Sequence, residues 1–431
     1  MNFTDELSWR GLLHQTAGNE VEDHIATPGR VAYCGFDPTA DSLTVGNFLA
    51  IKMLMHWQRS GHQPIVVMGG GTGLIGDPSG KDSERTLQTF DQVEHNISLQ
   101  RKIFEQLLDF DDSKNNHAIL VNNYDWLKEL SFIEALRDIG KHFSVNQMIQ
   151  RDSVKDRLTN RDQGISYTEF SYMLLQAYDF LHLFQHHNCT VQVAGSDQYG
   201  NIVSGMDLIR RQCGTEAAPA HAFGITNKLV TKSDGTKIGK SAGNAVWLSA
   251  DKTSPYRFYQ FWLNTDDADV VKFLKWFTFL SETEINDLEH SHLESPHQRQ
   301  AHRALAEHMT ELVHGDSALN NAVSASEILF GKGDLDAVDE RTLGELFEGV
   351  PSREESKQLL GSDQASIIGI LVGCGLAESN SRAREFLNNG AVTVNGKKAT
   401  METVLSAEDL LHGHTILLRR GKKNWAVTRW V

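Results

Sequence analysis

The chain has 431 residues, of which 40% are hydrophobic and 23% are charged, as in globular proteins of two or three domains. Its longest apolar runs, such as residues 64–68, have strand length and argue against a membrane-spanning helix. The four cysteines are far apart without a C-x-x-C pair, and no secretory signal opens the sequence. We therefore expect a cytoplasmic protein without a disulfide framework or a zinc ribbon.

Short runs of β-forming residues alternate with amphipathic helical stretches over residues 30–210. This alternation predicts a parallel sheet covered by helices, and therefore an α/β domain. The predicted strands are Arg30–Phe36, Pro64–Gly69, His117–Asn122 and Thr190–Ala194.

The remaining chain predicts two further modules. Apolar residues recur at helical spacing from Pro255 to His314, which predicts an α-helical domain. The polar stretch 351–357 is interpreted as a linker. Two helical runs and several short strands follow it, and Asn395-Gly396 predicts a tight hairpin among them.

The net charge of −15 is unusual for a protein that binds nucleic acid, but the charge is unevenly distributed. Residues 381–431 contain nine basic and four acidic side chains, so this segment carries an excess of five positive charges. Such a patch suits a nucleic-acid partner. A solvated basic tail without a partner explains the charge equally well.

Two glycine-bearing loops follow predicted strands. The first, Tyr33–Asn47, leads into a helical run that begins at Phe48, and Gly46 would let a nucleotide phosphate approach the helix N-terminus. An ordinary strand-to-helix turn is the alternative. The second, Gly69–Pro78, contains a G-x-G-x-x-G pattern, but Asp77-Pro78 resists the helix that a dinucleotide site needs.

Two later segments carry polar groups at informative spacings. Tyr172, Gln176 and Asp179 lie on one predicted helix face, where they would orient a small polar ligand or form an exposed stripe. His182 and His186 on the same run are interpreted as surface histidines. The loop Lys232–Ser241 bears lysines that would neutralise pyrophosphate, unless it is an ordinary exposed basic loop.

Together and in this order, these segments resemble the bacterial and mitochondrial type of tyrosyl-tRNA synthetase, a class I aminoacyl-tRNA synthetase. The resemblance runs from about Tyr33 to Trp430. It implies a Rossmann-like catalytic domain, an α-helical anticodon-binding domain, and a linker followed by a small ribosomal-protein-like RNA-binding domain. The corresponding ranges are 1–250, 251–350 and 351–431. The segments that carry the resemblance most specifically are 35–43, 74–79, 140–146, 175–180 and 195–198.

The resemblance also implies the reaction. Such an enzyme activates L-tyrosine with ATP to tyrosyl-adenylate, releases pyrophosphate, and transfers tyrosine to the terminal adenosine of tRNA(Tyr). Magnesium arrives with ATP, and no prosthetic group or protein-bound metal is expected. The family acts as a homodimer, for which the neighbourhood of Gly140–Asn146 is the expected contact.

The family's site residues carry over position by position. The resemblance implies that tyrosine is bound by Tyr33, Asp77, Tyr172, Gln176, Asp179, Gln192 and Gln198. It implies that ATP is bound by Asp37, Gly46, Gly195, Asp197, Lys237, Lys240 and Ser241. It implies that catalysis uses Thr44, Asn47, Lys237 and Lys240.

One departure from the family bears on catalysis. The "HIGH" signature is here Thr44-Val45-Gly46-Asn47, so both histidines are replaced. The hydroxyl of Thr44 and the amide of Asn47 still donate hydrogen bonds, which favours an enzyme that is slower or equal over an inactive one.

Three alternatives remain open at this point. A tryptophanyl-tRNA synthetase is opposed by the pairing of Tyr33 with Asp179. An RNA-binding paralogue with weakened catalysis is motivated by Thr44 and Asn47. A nucleotidyl-transfer enzyme that acts without tRNA is opposed by the basic C-terminal segment.

Overall fold

The computed structural model divides the chain into two compact units. The first comprises residues 1–253 and 264–305, and the second comprises residues 254–263 and 306–431. The residues that the structure describes are 2–78, 87–151, 154–155, 158, 164–215, 220–236, 238–241, 244–328, 335, 338–421 and 423–431.

A six-stranded sheet forms the centre of the first unit. Four of its strands correspond to the predicted runs, and all four pair in parallel, so the predicted parallel sheet is confirmed. The spatial order is β1-β6-β5-β2-β3-β4, and only β1 runs antiparallel to its neighbour. Its strands are β1 (Leu13–Ala17), β2 (Val31–Phe36), β3 (Gln63–Met68), β4 (Ile119–Asn122), β5 (Cys189–Gly195) and β6 (Phe223–Asn227).

Helices pack against this sheet and leave the carboxyl ends of its strands for loops. Nearly every residue of β2 and β3 is buried, as expected for strands that are covered on both faces. The helices of this unit are α1 (Phe3–Trp9), α2 (Val21–Ile25), α3 (Val45–Arg59), α4 (Phe90–Leu107), α5 (Tyr124–Leu127), α6 (Phe132–Glu134), α7 (Val145–Ile149), α8 (Tyr167–His187), α9 (Tyr199–Cys213), α11 (Val270–Phe277) and α12 (Glu282–Glu294).

Short elements complete the first unit. Two-residue strands β7 (Lys240–Ser241) and β8 (Asn244–Ala245) pair with each other beyond the sheet. In the described residues up to Pro78, the Gly-rich loop after β3 forms the single 3₁₀ turn Thr72–Leu74 and no longer helix.

The second unit combines helices with a five-stranded sheet. Its helices are α10 (Pro255–Leu263), α14 (Asp316–Ile328), α15 (Glu340–Leu346), α16 (Ile367–Gly373) and α17 (Asn380–Asn388), and α13 (Gln300–His314) begins in the first unit and ends in the second. Its strands are β9 (Ser352–Glu355), β10 (Val392–Val394), β11 (Lys397–Lys398), β12 (Thr415–Arg420) and β13 (Asn424–Trp430).

The predicted linker is wrong over most of its length, because Ser352–Glu355 forms strand β9. This strand pairs in parallel with β13 at the edge of the sheet. Arg353 Nε lies 2.7 Å from Glu355 Oε1, so two of its charged side chains pair with each other. Charged residues are common on edge strands, where they discourage aggregation. Here they give the segment the composition of a linker, although backbone pairing with β13 makes it a strand.

The predicted hairpin is confirmed. Asn395 and Gly396 connect β10 to β11 with φ angles of 44° and 79°. A two-residue turn with positive φ at both positions follows the twist of the paired strands, and Asn-Gly adopts it with little strain.

Candidate active site

A cavity of about 340 Å³ lies in the first unit, where β2, β3 and β5 end. Parallel strands bring their carboxyl ends to one edge of the sheet, so the loops that follow them meet there. The lining residues that the sequence predicted are Tyr33, Asp37, Gly46, Asn47, Asp77, Tyr172, Gln176, Asp179, Gln192, Gly195, Asp197 and Gln198.

Four predicted site residues are not among the cavity-lining residues that the structure describes. Thr44 is not part of the cavity wall, although it adjoins Gly46. Lys237 lies outside the described residues. For Lys240 and Ser241 the structure describes the backbone, as strand β7, and not the side chains.

The closed end of the cavity contains polar groups that protein atoms leave unsatisfied. Tyr33 is only 1% exposed, and its hydroxyl has no hydrogen-bond partner in the described part of the chain. The same holds for the side-chain oxygen of Gln192, which is 2% exposed. Buried polar groups normally find partners, so this end is suited to a ligand with a polar tip.

Asp179 lies at the same end and is held in a fixed orientation. Asn123 Nδ2 donates to its Oδ2 at 2.9 Å, and Trp126 Nε1 donates to its Oδ1 at 2.8 Å. Burial raises the pKa of Asp179 and the two hydrogen bonds lower it. Burial has the larger effect, so the resulting pKa is about 7. The carboxyl group therefore changes charge near neutral pH.

A second carboxylate, that of Asp37, lies further along the cavity wall. Tyr172 Oη donates to its Oδ2 at 2.9 Å and Thr72 Oγ1 to its Oδ1 at 2.7 Å. A Cβ at Gly69 would lie 2.2 Å from Asp37 Oδ1, so only glycine admits the carboxylate at this position. An anion between fixed donors suits a ligand ammonium or hydroxyl.

A network of amide groups connects the other wall. Gln198 Nε2 donates to Asp77 Oδ2 at 2.9 Å, and Gln176 Nε2 donates to Gln198 Oε1 at 3.2 Å. Asn201 Nδ2 donates to the oxygens of both glutamines, at 2.9 and 3.1 Å. Helix α8 therefore does place Gln176 on the same face as Asp179, toward the cavity and not toward solvent. Asp197 follows β5 directly, beside Gln198.

The replaced signature has a defined geometry at the start of α3. Both the backbone N–H and the hydroxyl of Thr44 donate to Asn47 Oδ1, at 3.0 and 2.8 Å. The Thr44 hydroxyl is thus used within the protein, whereas Asn47 lines the cavity and its Nδ2 donates to no partner in the described part of the chain. The two replacements therefore differ in what they offer to a phosphate.

The lysine loop approaches this signature closely. A Cβ at Gly239 would lie 3.2 Å from the backbone nitrogen of Gly46, and Gly239 has a φ of 94°. Val246 connects the two segments, because its N–H donates to Gly239 O at 2.8 Å and its carbonyl accepts from Val45 N at 3.0 Å. The two segments that are predicted to bind phosphate, although far apart in the sequence, therefore lie against each other at one side of the cavity.

Sequence reasoning missed four residues of this network. Asn123, Thr72, Trp126 and Asn201 hold the predicted carboxylates and amides in place. Asn123 connects the Gly-rich loop to Asp179, since its amide also contacts Thr72 and the backbone N–H of Gly71. Its position directly after the predicted strand that ends at Asn122 was an available signal.

The interpretation of His182 as a surface histidine is wrong, while His186 is exposed as expected. The His182 ring is half-buried and stacks on Trp126 with 4.4 Å between ring centroids. Burial lowers the pKa of His182 to about 4, so the ring is neutral and packs as an aromatic group.

Two family models match the chain. One, described as tRNA synthetases class I (W and Y), matches residues 28–331. The other, described as the Tyrosine--tRNA ligase SYY-like C-terminal domain, matches residues 342–428. Together they include both the cavity and the C-terminal sheet.

Relatives with known names agree with these models. The chain is 49% identical to a tyrosine–tRNA ligase of Staphylococcus haemolyticus (strain JCSC1435) over 428 residues, which are 99% of this chain and 98% of that relative. A C-terminally truncated mitochondrial tyrosyl-tRNA synthetase of Aspergillus nidulans is 31% identical, with a TM-score of 0.68, and covers 76% of this chain and 94% of its own. A tryptophanyl-tRNA synthetase of Encephalitozoon cuniculi has a TM-score of 0.54 over 74% of this chain and 86% of its own. At 13% identity it shares the fold alone.

Proposed function

We propose that this chain, which belongs to the tyrosine–tRNA ligase family of the class I tRNA synthetases, activates L-tyrosine with ATP and transfers it to tRNA(Tyr). The observation that carries the proposal is the closed end of the cavity. There the Tyr33 hydroxyl has no partner among the described residues, and the Asp179 carboxylate is held by two fixed donors. A phenol hydroxyl can donate to the carboxylate and accept from Tyr33.

This arrangement provides selectivity for tyrosine over phenylalanine. Phenylalanine would fill the same volume, leave the buried Tyr33 hydroxyl without a partner, and deprive Asp179 of the hydrogen bond from the phenol. Sites that are built to hydrogen-bond a hydroxyl reject the analogue that lacks it by about 10⁴–10⁵-fold. Selection at this level needs no separate editing step.

The amino acid's other groups lie along the carboxylate-bearing wall. Asp77 and Tyr172 are proposed to hold the tyrosine ammonium, with Gln176 and Gln198 orienting it through their amide network. The ammonium cation would also offset the repulsion between the carboxylates of Asp37 and Asp77, which both line the cavity. The tyrosine carboxylate then faces the side where Gly46 and Asn47 lie.

ATP is proposed to bind across that side, with its ribose on Gly195 and Asp197 and its phosphates at the start of α3. The tyrosine carboxylate attacks the α-phosphate, and the bond to pyrophosphate breaks. The backbone at Gly46 and the amide of Asn47 are proposed to stabilise the charge of the leaving pyrophosphate. From the sequence alone, Lys237, Lys240 and Ser241 are proposed to do the same. Positioning and electrostatics thus provide the catalysis, and magnesium enters as part of the Mg·ATP substrate.

In the second step a ribose hydroxyl of the terminal adenosine of tRNA attacks the tyrosyl carbonyl, and AMP leaves. The C-terminal sheet is proposed to bind tRNA phosphates. Within residues 381–431, five basic side chains are exposed and have no ion pair in the described part of the chain, namely Arg384, Lys397, Lys398, Lys423 and Arg429. Charge of this kind supports a nucleic-acid partner over a purely solvated tail.

A homodimer is proposed for the active form. Large apolar side chains are exposed over residues 132–149, a segment that includes the expected contact region Gly140–Asn146 and extends beyond it on both sides. Phe132, Ile133 and Val145 are 65%, 68% and 58% exposed. Apolar groups concentrated in one exposed segment are typical of protein–protein contacts.

A cytoplasmic location is proposed as well, as for the translation machinery that the product serves. None of the helices in the described ranges has the length and apolar character needed to cross a membrane.

The function is tested by amino-acid-dependent exchange of labelled pyrophosphate into ATP, with tyrosine, phenylalanine and tryptophan supplied separately. Tyrosine alone is expected to drive exchange. Exchange driven by tryptophan would instead indicate a tryptophan enzyme. Tyrosine binding without exchange would indicate an RNA-binding relative whose catalysis was lost with the signature histidines.

A further inference from the structure

Three metal-binding side chains converge in the first unit, away from the cavity. Asp267 lies in the loop before α11, His292 in the last turn of α12, and His302 in the first turn of α13. One donor atom from each lies within 4.8 Å of the other two. The two imidazole rings are 5.4 Å apart between centroids and meet edge to face.

Both histidines have buried ring nitrogens that lack a hydrogen-bond partner of good geometry in the described part of the chain, although the backbone of Thr265 lies beside the His302 ring. His302 is fully buried, and its Nε2 lies 3.1 Å from Asp267 Oδ1 without hydrogen-bond geometry. His292 Nδ1 is likewise buried, and it has no partner among the residues that the structure describes. A buried nitrogen that lacks a partner is unusual, and a bound cation would supply one for each ring.

The geometry fits a small tetrahedral ion. Zinc bonds of about 2.0–2.2 Å to nitrogen and oxygen place neighbouring ligand atoms roughly 3.3 Å apart. The pair His302 Nε2 and Asp267 Oδ1, at 3.1 Å, already has this spacing. The remaining donor atoms lie within 4.8 Å of one another, so a bound ion would require them to approach by up to about 1.5 Å. Two imidazoles favour zinc-type cations over magnesium or calcium, which prefer oxygen ligands.

Asp267 is 64% exposed, so the site opens to solvent on the side of the carboxylate, where an ion can enter and a water can complete its coordination.

We propose that Asp267, His292 and His302 bind one zinc-type divalent cation, which holds the loop before α11 to α12 and α13. The site is structural and separate from the aminoacylation chemistry, and the proposal does not depend on that chemistry. It corrects the expectation from sequence that the chain binds no metal of its own. The three ligands are 25 and 10 residues apart along the chain, in a pattern that matches no short zinc motif.

The test is a calorimetric titration of the metal-stripped, full-length chain with zinc chloride. Asp267→Asn is the principal variant, since this exposed side chain can be changed without disturbing the core. His292→Ala is the second. His290→Ala is the matched control, because it removes an exposed histidine from the same helix outside the triad.

Wild type and His290→Ala are expected to bind one more zinc ion per chain than Asp267→Asn and His292→Ala. Zinc should raise the melting temperature of wild type and His290→Ala and leave that of the other two variants unchanged. Cobalt(II) in place of zinc should give the strong visible bands of a tetrahedral nitrogen–oxygen site, again in wild type and His290→Ala alone. Equal zinc stoichiometry in all four proteins, or no binding by the wild type, would overturn the proposal.

Discussion

Asp269 holds the backbone of Ser233, because the Ser233 N–H lies 2.9 Å from one carboxylate oxygen of Asp269 and 3.1 Å from the other. Asp269 is only 1% exposed, and Lys272 Nζ lies 2.5 Å from it. Lys272 also donates to the Thr231 carbonyl at 3.1 Å. The segment that leads into the loop Lys237–Ser241 is therefore anchored to the start of α11.

Asp269→Asn should slow adenylate formation and leave tyrosine affinity unchanged. The neutral amide keeps the size of the carboxylate and still accepts from Ser233, but it exchanges a charge-assisted hydrogen bond for a neutral one, a loss of about 1 kcal/mol that corresponds to a roughly five-fold slower step. Single-turnover adenylate formation and equilibrium tyrosine binding measure the two effects. The exposed Asp287→Asn on α12 is the control, and an unchanged rate in Asp269→Asn would show that the anchor is dispensable.

The two signature replacements should contribute unequally. Asn47→Ala removes an amide that lines the cavity, and we expect a roughly ten- to hundred-fold loss in the rate of adenylate formation. Thr44→Ala removes a hydroxyl that is bonded to Asn47 itself, so its effect should stay below about five-fold. Pyrophosphate exchange at saturating tyrosine compares the two variants. A larger loss for Thr44→Ala would mean that the hydroxyl turns to the phosphates during the reaction.

Tyrosine affinity should increase as the pH rises through about 7. Burial raises the pKa of Asp179 to about 7, so below that pH its carboxyl group is protonated and accepts the phenol proton less well. A hydrogen bond to a charged acceptor exceeds a neutral one by about 1 kcal/mol, which is roughly five-fold in affinity.

Equilibrium dialysis between pH 5.5 and 8 measures this dependence, with Asp179→Asn as the variant that cannot titrate. None of the lining residues in the described part of the chain is a histidine that would titrate in the same range. A dependence that persists in Asp179→Asn would assign the effect to another group.

Truncation after Val350 should preserve adenylate formation and sharply weaken tRNA charging. The cut removes β9–β13 and all five exposed basic side chains, whereas the cavity lies wholly in the first unit. It also exposes an apolar cluster that packs against Leu417 and Val427, including Leu343 and Phe347. The remaining part of the second unit should therefore melt earlier.

Pyrophosphate exchange, aminoacylation and thermal melting on one truncated sample measure these three effects together. The full-length chain should also lose charging activity steeply with salt. Normal charging by the truncated chain would show that the C-terminal sheet does not bind tRNA.

The sequence was most informative for polar residues in the loops that follow parallel strands. Asp37, Asp77 and Asp197 each follow a strand of the same sheet, and such positions meet at one edge whatever the details of packing. The spacing of Tyr172 and Asp179 likewise predicted a shared helix face, which the structure confirms.

Contacts between distant segments could not be predicted in this way. Asn123 and Trp126 reach Asp179 across more than 50 residues of sequence, and no local pattern records that approach. Strand β9 escaped prediction for a related reason. Its four polar residues lack alternation, and pairing with β13 alone makes them a strand.

Tyr33 and Asp179 are proposed to select the phenol of tyrosine together. The most direct measurement is kcat/KM for pyrophosphate exchange with tyrosine and with phenylalanine, in wild type, Tyr33→Phe and Asp179→Ala. Tyr33→Phe removes a hydroxyl without a partner in the described structure, so folding should be unaffected. We predict wild-type discrimination of about 10⁴-fold or more, reduced at least roughly ten-fold in each variant with ATP affinity unchanged. Wild-type discrimination in both variants would show that neither Tyr33 nor Asp179 selects the phenol.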